Sequence, residues 1–214
     1  MFTGMIRINR FMPHNYCIMD GYTHNLKPFH FDDSGYTDQS QDEVYSFAHK
    51  LLLKNGWSSI VDIGCGSGFK LIKYFDRFET VGVETEPCIS HLRKRYPNKI
   101  WVDSGEAERS FSTFQKNTDL VICSDVIEHI IDPDRLIAYI KSFTFKQLVI
   151  STPDRKMLKD HINEAAWYGP PINMCHVREW SFEEFNSYLN GHFKNVSGYH
   201  CKTQFECMFF TCSQ

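Results

Sequence analysis

The sequence has no apolar run of membrane-spanning length, and hydrophobic residues make up 42% of its 214 residues. A transmembrane helix needs about 20 consecutive, mainly apolar residues, so a transmembrane segment of this kind is excluded. The first residues, Met1 to Arg10, are too polar and too interrupted for a secretory signal. We therefore expect one soluble domain, because the chain can bury a real core but is short for two full domains.

The sequence also lacks the C-x-x-C pairs of zinc sites, although it contains eight cysteines. The cysteines are scattered, and Cys65, Cys88 and Cys123 lie in or beside predicted sheet elements. His192 and His200, the latter next to Cys201, lack metal-ligand spacing as well. This pattern predicts reduced thiols in a cytoplasmic protein and no metal site.

A strong positive charge is absent too. The formal net charge is −3 and the isoelectric point is about 6.4, whereas a protein that binds a phosphate backbone needs clustered Lys and Arg. The local cluster Arg93-Lys94-Arg95 lies on a predicted helix and is better explained as a solvated face. The charge therefore argues against a nucleic-acid partner, and a small-molecule partner is expected instead.

What is present is a glycine-rich turn after a buried strand, in the stretch from Ile60 to Gly68. Three glycines at alternate positions let the backbone bend tightly and approach a ligand without a Cβ. The helix that follows, predicted at Phe69–Phe75, then begins with free N–H groups. Such a turn holds a nucleoside-bearing ligand at the carboxyl edge of a parallel sheet.

The spacing of this turn differs from that of a dinucleotide site. A dinucleotide fingerprint is G-x-G-x-x-G, but here the pattern is G-x-G-x-G with Asp62 on the preceding strand. The next strand ends in Glu84. A carboxylate there can accept hydrogen bonds from both ribose hydroxyls.

Three blocks of sequence, VDIGCGSG, VGVE and DLVICSDVIEH, occur in that order across about the middle half of the chain. Together they resemble the class I S-adenosylmethionine (SAM) dependent methyltransferases. The resemblance implies SAM as cofactor and S-adenosylhomocysteine as its product. It implies cofactor contacts from Asp62, Gly64, Cys65, Gly66 and Gly68 in the turn, Glu84 at the ribose, Asp103 and Ser104 at the adenine, Ser124 and Asp125 at the methionine arm, and Gln41 and Tyr45 near the methionine part. Glu106 and Glu108 follow Asp103 closely and stay alternatives for the adenine contact.

The expected fold is α/β: a Rossmann-like, doubly wound, mostly parallel sheet of seven strands with helices on both faces. Ser40 and Glu43 predict a capping box for a first helix that ends at Gly56. Further strands are predicted at 80–84, 99–102, 119–124 and 147–152, with an antiparallel pair at 196–202 and 205–211. Residues 39–214 then form the SAM-binding domain, and the aromatic-rich segment 1–38 is either an acceptor lid or a packed cover.

Two histidines are the candidates for a general base, because a base with a pKa near neutrality suits proton removal from an acceptor. His129 follows the fourth strand, and His176 lies in the long region between strands five and six. His176 has a structural alternative, in which its ring pins the loop, and His129 has one as a shelf for the cofactor. Arg178 either clamps an anionic acceptor or pairs with Glu179, and the internal pair is favoured.

The segment that includes Asn173 and His176 to Trp180, followed by a serine-capped helix, is similar to methyltransferases of glycan and secondary-metabolite pathways. The end of the fourth strand reads Ser-Asp-Val and lacks the prolines typical of nucleobase amino methyltransferases. The resemblance thus implies methylation of oxygen, or less readily nitrogen, on a sugar or glycan precursor. The alternatives are a protein or tRNA acceptor, and a catalytically silent SAM-binding scaffold.

Overall fold

The computed structural model describes residues 15–30, 32–37, 39–107, 117–158, 167–204 and 206–214. The strands are β1 (Ser59–Ile63), β2 (Glu79–Glu84), β3 (Ile100–Asp103), β4 (Leu120–Ser124), β5 (Gln147–Pro153), β6 (Asn195–His200) and β7 (Cys207–Ser213). The helices are α1 (Asp42–Asn55), α2 (Phe69–Phe75), α3 (Cys88–Arg95), α4 (Ser104–Ala107), α5 (Pro133–Lys141) and α6 (Phe182–Asn190), with a 3-10 helix at Ile127–His129. In the described ranges, no helix combines the length and apolarity needed to cross a membrane.

The seven strands form one sheet in the order β3-β2-β1-β4-β5-β7-β6. β1 to β5 run parallel, and β7 pairs antiparallel with both β5 and β6. The predicted fold class is confirmed. The strand order reverses between β1 and β4, and ligands bind beyond the carboxyl ends of the strands at such a point.

Alternate residues of the central strands enter two separate apolar cores, as a side-chain period of two requires. Val61 and Val121 belong to the core with α5 and α6. Ile60 and Leu120 belong to the core with α1, α2 and α3. Because both faces are covered, the free carboxyl edge is where the sheet can offer polar groups to a ligand.

The helix ends show one predicted cap that is wrong and one that is confirmed. α1 begins after Gln41, whose side chain makes no cap, and the carboxylate of Glu43 instead accepts the backbone N–H groups of Lys202 and Thr203. This tertiary contact removes Glu43 from the predicted capping box. α6 has a complete capping box between Ser181 and Glu184.

The N-terminal segment packs against the region 167–180, as far as it is described. The N–H groups of Thr23, Asn25 and Phe29 donate to carbonyls in that region, and the indole of Trp180 donates to the Tyr16 carbonyl at 2.9 Å. The predictions for residues 1–14 and for Phe31 lie outside the described residues. So do those for Glu108, for residues 159–166 and for Phe205.

Candidate functional site

The glycine turn connects β1 to α2 at the centre of the carboxyl edge. Gly64, Gly66 and Gly68 all have φ between 54° and 73°, in the left-handed region. A Cβ at Gly64 would collide with Val126, and one at Gly68 would lie 2.6 Å from Leu92 Cδ2. Both the backbone angles and the close packing therefore require glycine. Cys65 is buried, and its sulfur packs over Gly82 of β2.

Two acidic side chains flank this turn. Glu84 accepts the Gly66 N–H at 2.9 Å and the Thr85 N–H at 2.7 Å, and burial raises its pKa. Asp62 is fully buried and accepts the Tyr45 hydroxyl at 2.9 Å on Oδ2. Burial raises the pKa of Asp62 to about 7, although the Tyr45 hydrogen bond opposes this shift.

Asp103 and Ser104 lie at the end of β3, beside the ribose candidate Glu84. Glu84 and Asp103 are partners in the register of β2 and β3, so both reach the same edge. Asp103 accepts the Gly105 N–H at 2.8 Å, which holds its carboxylate at the start of α4. The side chains of the alternatives Glu106 and Glu108 lie outside the described part of the chain.

The residues predicted for the methionine arm form one hydrogen-bonded group. Gln41 donates to Asp125 Oδ2 at 2.8 Å, and Ser151 donates to Asp125 Oδ1 at 2.6 Å. Ser124 bonds Ser151 at 2.7 Å. Asp125 has a positive φ of 52°, which turns the chain away from β4. Tyr45 reaches this region only through Asp62, because its own ring is buried.

The sequence reasoning missed Asp33 in the N-terminal segment. Its carboxylate lies against Gly66, so closely that a Cβ on Gly66 would overlap it, and Cys88 Sγ is 3.2 Å from its Oδ1. Its negative charge also contributes to the raised pKa of Glu84. The sequence does not predict this contact, because Asp33 precedes β1 in the chain. The fold of the N-terminal segment brings it to the turn.

The two candidate catalytic histidines, far apart in sequence, lie together. The ring centroids of His129 and His176 are 4.8 Å apart with their planes nearly perpendicular. His129 Nδ1 lies 2.8 Å from the Cys175 carbonyl, and His176 Nδ1 lies 2.8 Å from Glu179 Oε1. Burial lowers the pKa of His129, and the neighbouring His176 lowers it further. Both rings thus also hold the loop 173–179 in place.

Glu128 joins this pair and was not singled out from the sequence. The 3-10 helix Ile127–His129 turns its side chain inward, where it is completely buried. One ligand atom from each of Glu128, His129 and His176 lies within 4.8 Å of the others, so the three could hold a metal ion. The prediction of no metal site considered only local spacing, whereas this group combines positions 128–129 with 176.

Arg178 does not make the predicted pair with Glu179. Its terminal nitrogens donate to the carbonyls of Ile130 and Ile131, at 2.7 and 2.6 Å, and its guanidinium lies 4.6 Å from the Tyr16 ring. Glu179 bonds His176 instead. Because Arg178 is only 1% exposed, it fixes the loop and is not available to clamp an acceptor.

The residues of this edge fit the cofactor that the sequence implies. Glu84 offers a carboxylate at the glycine turn, where it lies beside the backbone of Gly66 and Thr85. The Oδ1 atom of Asp62 is buried without a hydrogen-bond partner among the described residues. A buried acceptor of this kind calls for a donor, which an amino group or hydroxyl of SAM can provide.

Comparisons with known proteins agree with this geometry. The model of a family described as "Methyltransferase domain" matches residues 36–195. No curated protein matches the chain significantly. The matched residues include the glycine turn, Glu84, and both histidines.

Solved structures share the fold at low sequence identity. A SAM dependent methyltransferase from Archaeoglobus fulgidus is 18% identical, with a TM-score of 0.53 and coverage of 81% of this chain and 97% of its own. Magnesium protoporphyrin IX methyltransferase from Synechocystis, with bound S-adenosylhomocysteine, is 15% identical, with a TM-score of 0.55 and coverage of 84% and 90%. The small RNA methyltransferase HEN1 is 19% identical, with a TM-score of 0.60, and the match covers 86% of this chain but 26% of HEN1.

The family match spans most of the chain and includes the three sequence blocks that carried the resemblance. It confirms the predicted enzyme class, a methyltransferase with SAM as cofactor. The family match does not indicate a pathway, so the similarity to methyltransferases of glycan pathways stays a prediction. The chain belongs to the methyltransferase domain family.

Proposed function

We propose that this protein transfers the methyl group of SAM to a hydroxyl oxygen of a small polar metabolite, with a sugar or glycan precursor as the expected acceptor. The observation that carries the proposal is the pair of adjacent imidazoles beyond the end of β4, the half-buried His129 and the buried His176. An oxygen acceptor must lose a proton during transfer, and these rings are suited to receive it.

The cofactor residues keep the roles proposed from the sequence. SAM supplies a methyl group that is already activated on a sulfonium, so the protein mainly has to align donor and acceptor. Glu84 is proposed to hold the ribose, and Asp103 and Ser104 the adenine. The unpaired Oδ1 of Asp62 adds a role that the sequence did not suggest, as acceptor for the amino group of the methionine part. Gln41, Ser124 and Asp125, which Ser151 joins into one hydrogen-bonded group, are proposed to contact the methionine arm.

The tautomer of His129 follows from its surroundings. A carbonyl oxygen can only accept, so Nδ1 carries the hydrogen and donates to Cys175, which leaves a lone pair on Nε2. Since burial lowers the pKa of His129, the ring is neutral at pH 7 and able to take a proton. His176 is held in the same tautomer by Glu179.

A second candidate function is a SAM-binding partner that does not turn over and docks on another protein. Phe29 and Met174 favour it, because both side chains are 60% exposed and their backbones are joined by a hydrogen bond. Exposed apolar groups of this kind mark interaction sites. They also suit contact with the apolar face of an acceptor, so turnover decides between the two functions.

The domain division and the location remain proposals as well. We place the SAM-binding domain at residues 39–214 and propose that residues 1–38 are its lid or cover; Thr23, Asn25 and Phe29, in the described part of that segment, contact region 167–180. All eight cysteines are free thiols, which favours a reducing, cytoplasmic environment.

The cofactor assignment is tested by calorimetric titration of SAM. Glu84→Ala should weaken binding by about 10- to 100-fold, because hydrogen bonds to a charged group contribute about 1.5–3 kcal/mol. Glu79→Ala is the matched control, since Glu79 is an exposed residue at the other end of the same strand. Equal affinity in both variants would remove the ribose role of Glu84.

The acceptor assignment is tested with radiolabelled SAM and a panel of sugars and amino sugars of matched structure. We expect label on hydroxyl oxygens, and a reduced rate for His129→Ala with SAM affinity unchanged. Label on amines alone would overturn the oxygen assignment. Tight SAM binding without transfer to any compound would favour the docking function.

A further inference from the structure

The geometry points to a divalent metal site formed by Glu128, His129 and His176, at the end of the cleft where the acceptor is proposed to bind. The three ligand atoms lie within 4.8 Å of one another. A set of two imidazoles and one carboxylate suits a transition ion such as Mn²⁺ or Zn²⁺ better than Mg²⁺ or Ca²⁺, which prefer oxygen ligands. Three protein ligands also leave positions open for water or an acceptor.

Glu128 provides the first independent observation. It is 0% exposed, and its Oε1 has no hydrogen-bond partner among the described residues. Its Oε2 accepts a hydrogen bond from Thr152 Oγ1 at 3.2 Å. An unpaired carboxylate oxygen in the interior is costly, and buried charges are normally paired or bound to metals. A cation between Glu128 and the two rings would remove this cost.

The outer hydrogen bonds of the two rings provide the second observation. Each ring gives its Nδ1–H to a fixed oxygen, His129 to the Cys175 carbonyl and His176 to Glu179. Metal-binding histidines typically donate their second N–H to a carbonyl or carboxylate in this way, which orients the ring and strengthens the ligand. Both rings therefore have their Nε2 lone pair free of a proton.

Asn173 competes for one of these lone pairs. Its side-chain nitrogen lies 3.0 Å from His176 Nε2, and the Cys175 N–H donates to its oxygen at 3.0 Å, which fixes the orientation of the amide. The ion must therefore replace the Asn173 hydrogen bond at Nε2. Removing the Asn173 amide should therefore tighten metal binding, because it frees the Nε2 lone pair of His176.

The role of the ion rests on the proposed function, whereas its binding does not. A hydroxyl bound to a divalent cation loses its proton more readily than a free one. In that arrangement His129 and His176 would act as ligands in place of bases. The ion would acidify the acceptor hydroxyl, its proton would pass to solvent water, and the oxygen would take the methyl group of SAM, which leaves as S-adenosylhomocysteine. The acceptor would then be a compound that can present a hydroxyl oxygen as a ligand.

The test is calorimetric titration of the chelator-treated, full-length protein with MnCl₂, ZnCl₂ and MgCl₂, without SAM or acceptor. We expect binding of Mn²⁺ or Zn²⁺ at one site, with Mg²⁺ weaker. Glu128→Gln and His176→Ala should each weaken it by more than about 10-fold, as even outer-shell changes have effects of this size. Asn173→Ala should strengthen binding, and His192→Ala is the control outside the cluster.

Circular dichroism establishes that each variant is folded, and electron paramagnetic resonance of Mn²⁺ gives a readout independent of heat. No binding of Mn²⁺ or Zn²⁺ to the wild type, or equal binding to Glu128→Gln and His176→Ala, would overturn the site. Transfer of radiolabel from SAM to a hydroxyl oxygen, measured separately, tests the proposed function. Failure of one measurement therefore leaves the other interpretable.

Discussion

The two halves of the carboxyl edge are constructed in different ways. The cofactor half comprises the glycine turn and the ends of β1 to β3, and its side chains come from neighbouring parts of the sequence. Gly66 and Glu84, for example, are 18 residues apart. The acceptor half comprises residues 126–131, 167–180 and the N-terminal segment. There His129 contacts a residue 46 positions away, and Trp180 contacts one 164 positions away.

The difference concerns what determines each half. In the cofactor half, backbone angles and strand ends fix the site, so local sequence specifies it. In the acceptor half, irregular segments are held by single side chains that bond distant carbonyls, as Arg178 does with Ile130 and Ile131. We expect changes in one half to leave the other largely intact, and the following variants test this expectation.

The largest effect is expected from Asp62→Asn in the cofactor half, measured as unfolding free energy against pH. The pKa of Asp62 rises from 3.8 to about 7 on folding, so the folded state keeps a proton that the unfolded state releases. The stability from this group is present below about pH 4 and is lost as pH rises to about 7. At about 1.4 kcal/mol for each pKa unit, the loss is at most about 4 kcal/mol.

Asp62→Asn should show a flatter profile, with the difference from wild type largest above pH 7. Glu84 and Glu128 also have pKa values raised by burial, but they are present in both proteins. Parallel profiles for the two proteins would contradict the buried, protonated state of Asp62.

In the acceptor half, Arg178→Met should lower the unfolding free energy by about 3 kcal/mol, because it leaves two carbonyls without their donor. Lys94→Met, at an exposed position of α3, is the control. Urea unfolding measures the change. SAM affinity of the folded variant should stay within about twofold of wild type. A loss of SAM binding free energy as large as the loss of unfolding free energy would contradict the distinction between the halves.

Gly68→Ala should cost about 2 kcal/mol of stability, since a non-glycine residue in the left-handed region is strained by about 1–2 kcal/mol and the new Cβ would crowd Leu92. Gly35→Ala is the matched control, because a Cβ there would meet nothing within 4 Å. SAM affinity should fall only for Gly68→Ala. Metal binding at Glu128 should be the same in both variants.

The smallest effect is expected from Asp33→Ala, in the one segment that contacts both halves. Its carboxylate occupies space against Gly66, so a ligand over the turn must displace it. We expect a few-fold higher SAM affinity in calorimetry, corresponding to less than about 1 kcal/mol. Weaker binding would instead mean that Asp33 contacts the cofactor.

Local features of the sequence were predictable. The helix Phe69–Phe75 and the glycine positions are confirmed because the turn determines them within a few residues. The serine-capped helix α6 is confirmed for the same reason. The cap expected at Ser40 and Glu43 failed because a distant segment, Lys202 and Thr203, took the Glu43 carboxylate.

The acceptor half was only partly predictable. His129 and His176 were singled out by residue type, but their 4.8 Å separation depends on how the loop 173–179 folds back. The inward orientation of Glu128 depends on the 3-10 helix, which has no sequence signature of its own. Asp33 reaches the turn through a segment without periodicity. Such contacts follow from tertiary packing, which the identity of a single residue does not predict.

The position of β7 in the sheet determines when the second edge of β5 becomes paired during synthesis. β5 carries Ser151 and Thr152 of the site, and its second edge pairs with β7, the last described strand along the chain. On the ribosome, β5 therefore keeps an unpaired edge until residues 207–213 have emerged. An open edge of this kind recruits other strands, so the nascent chain depends on prompt arrival of β7 to avoid aggregation.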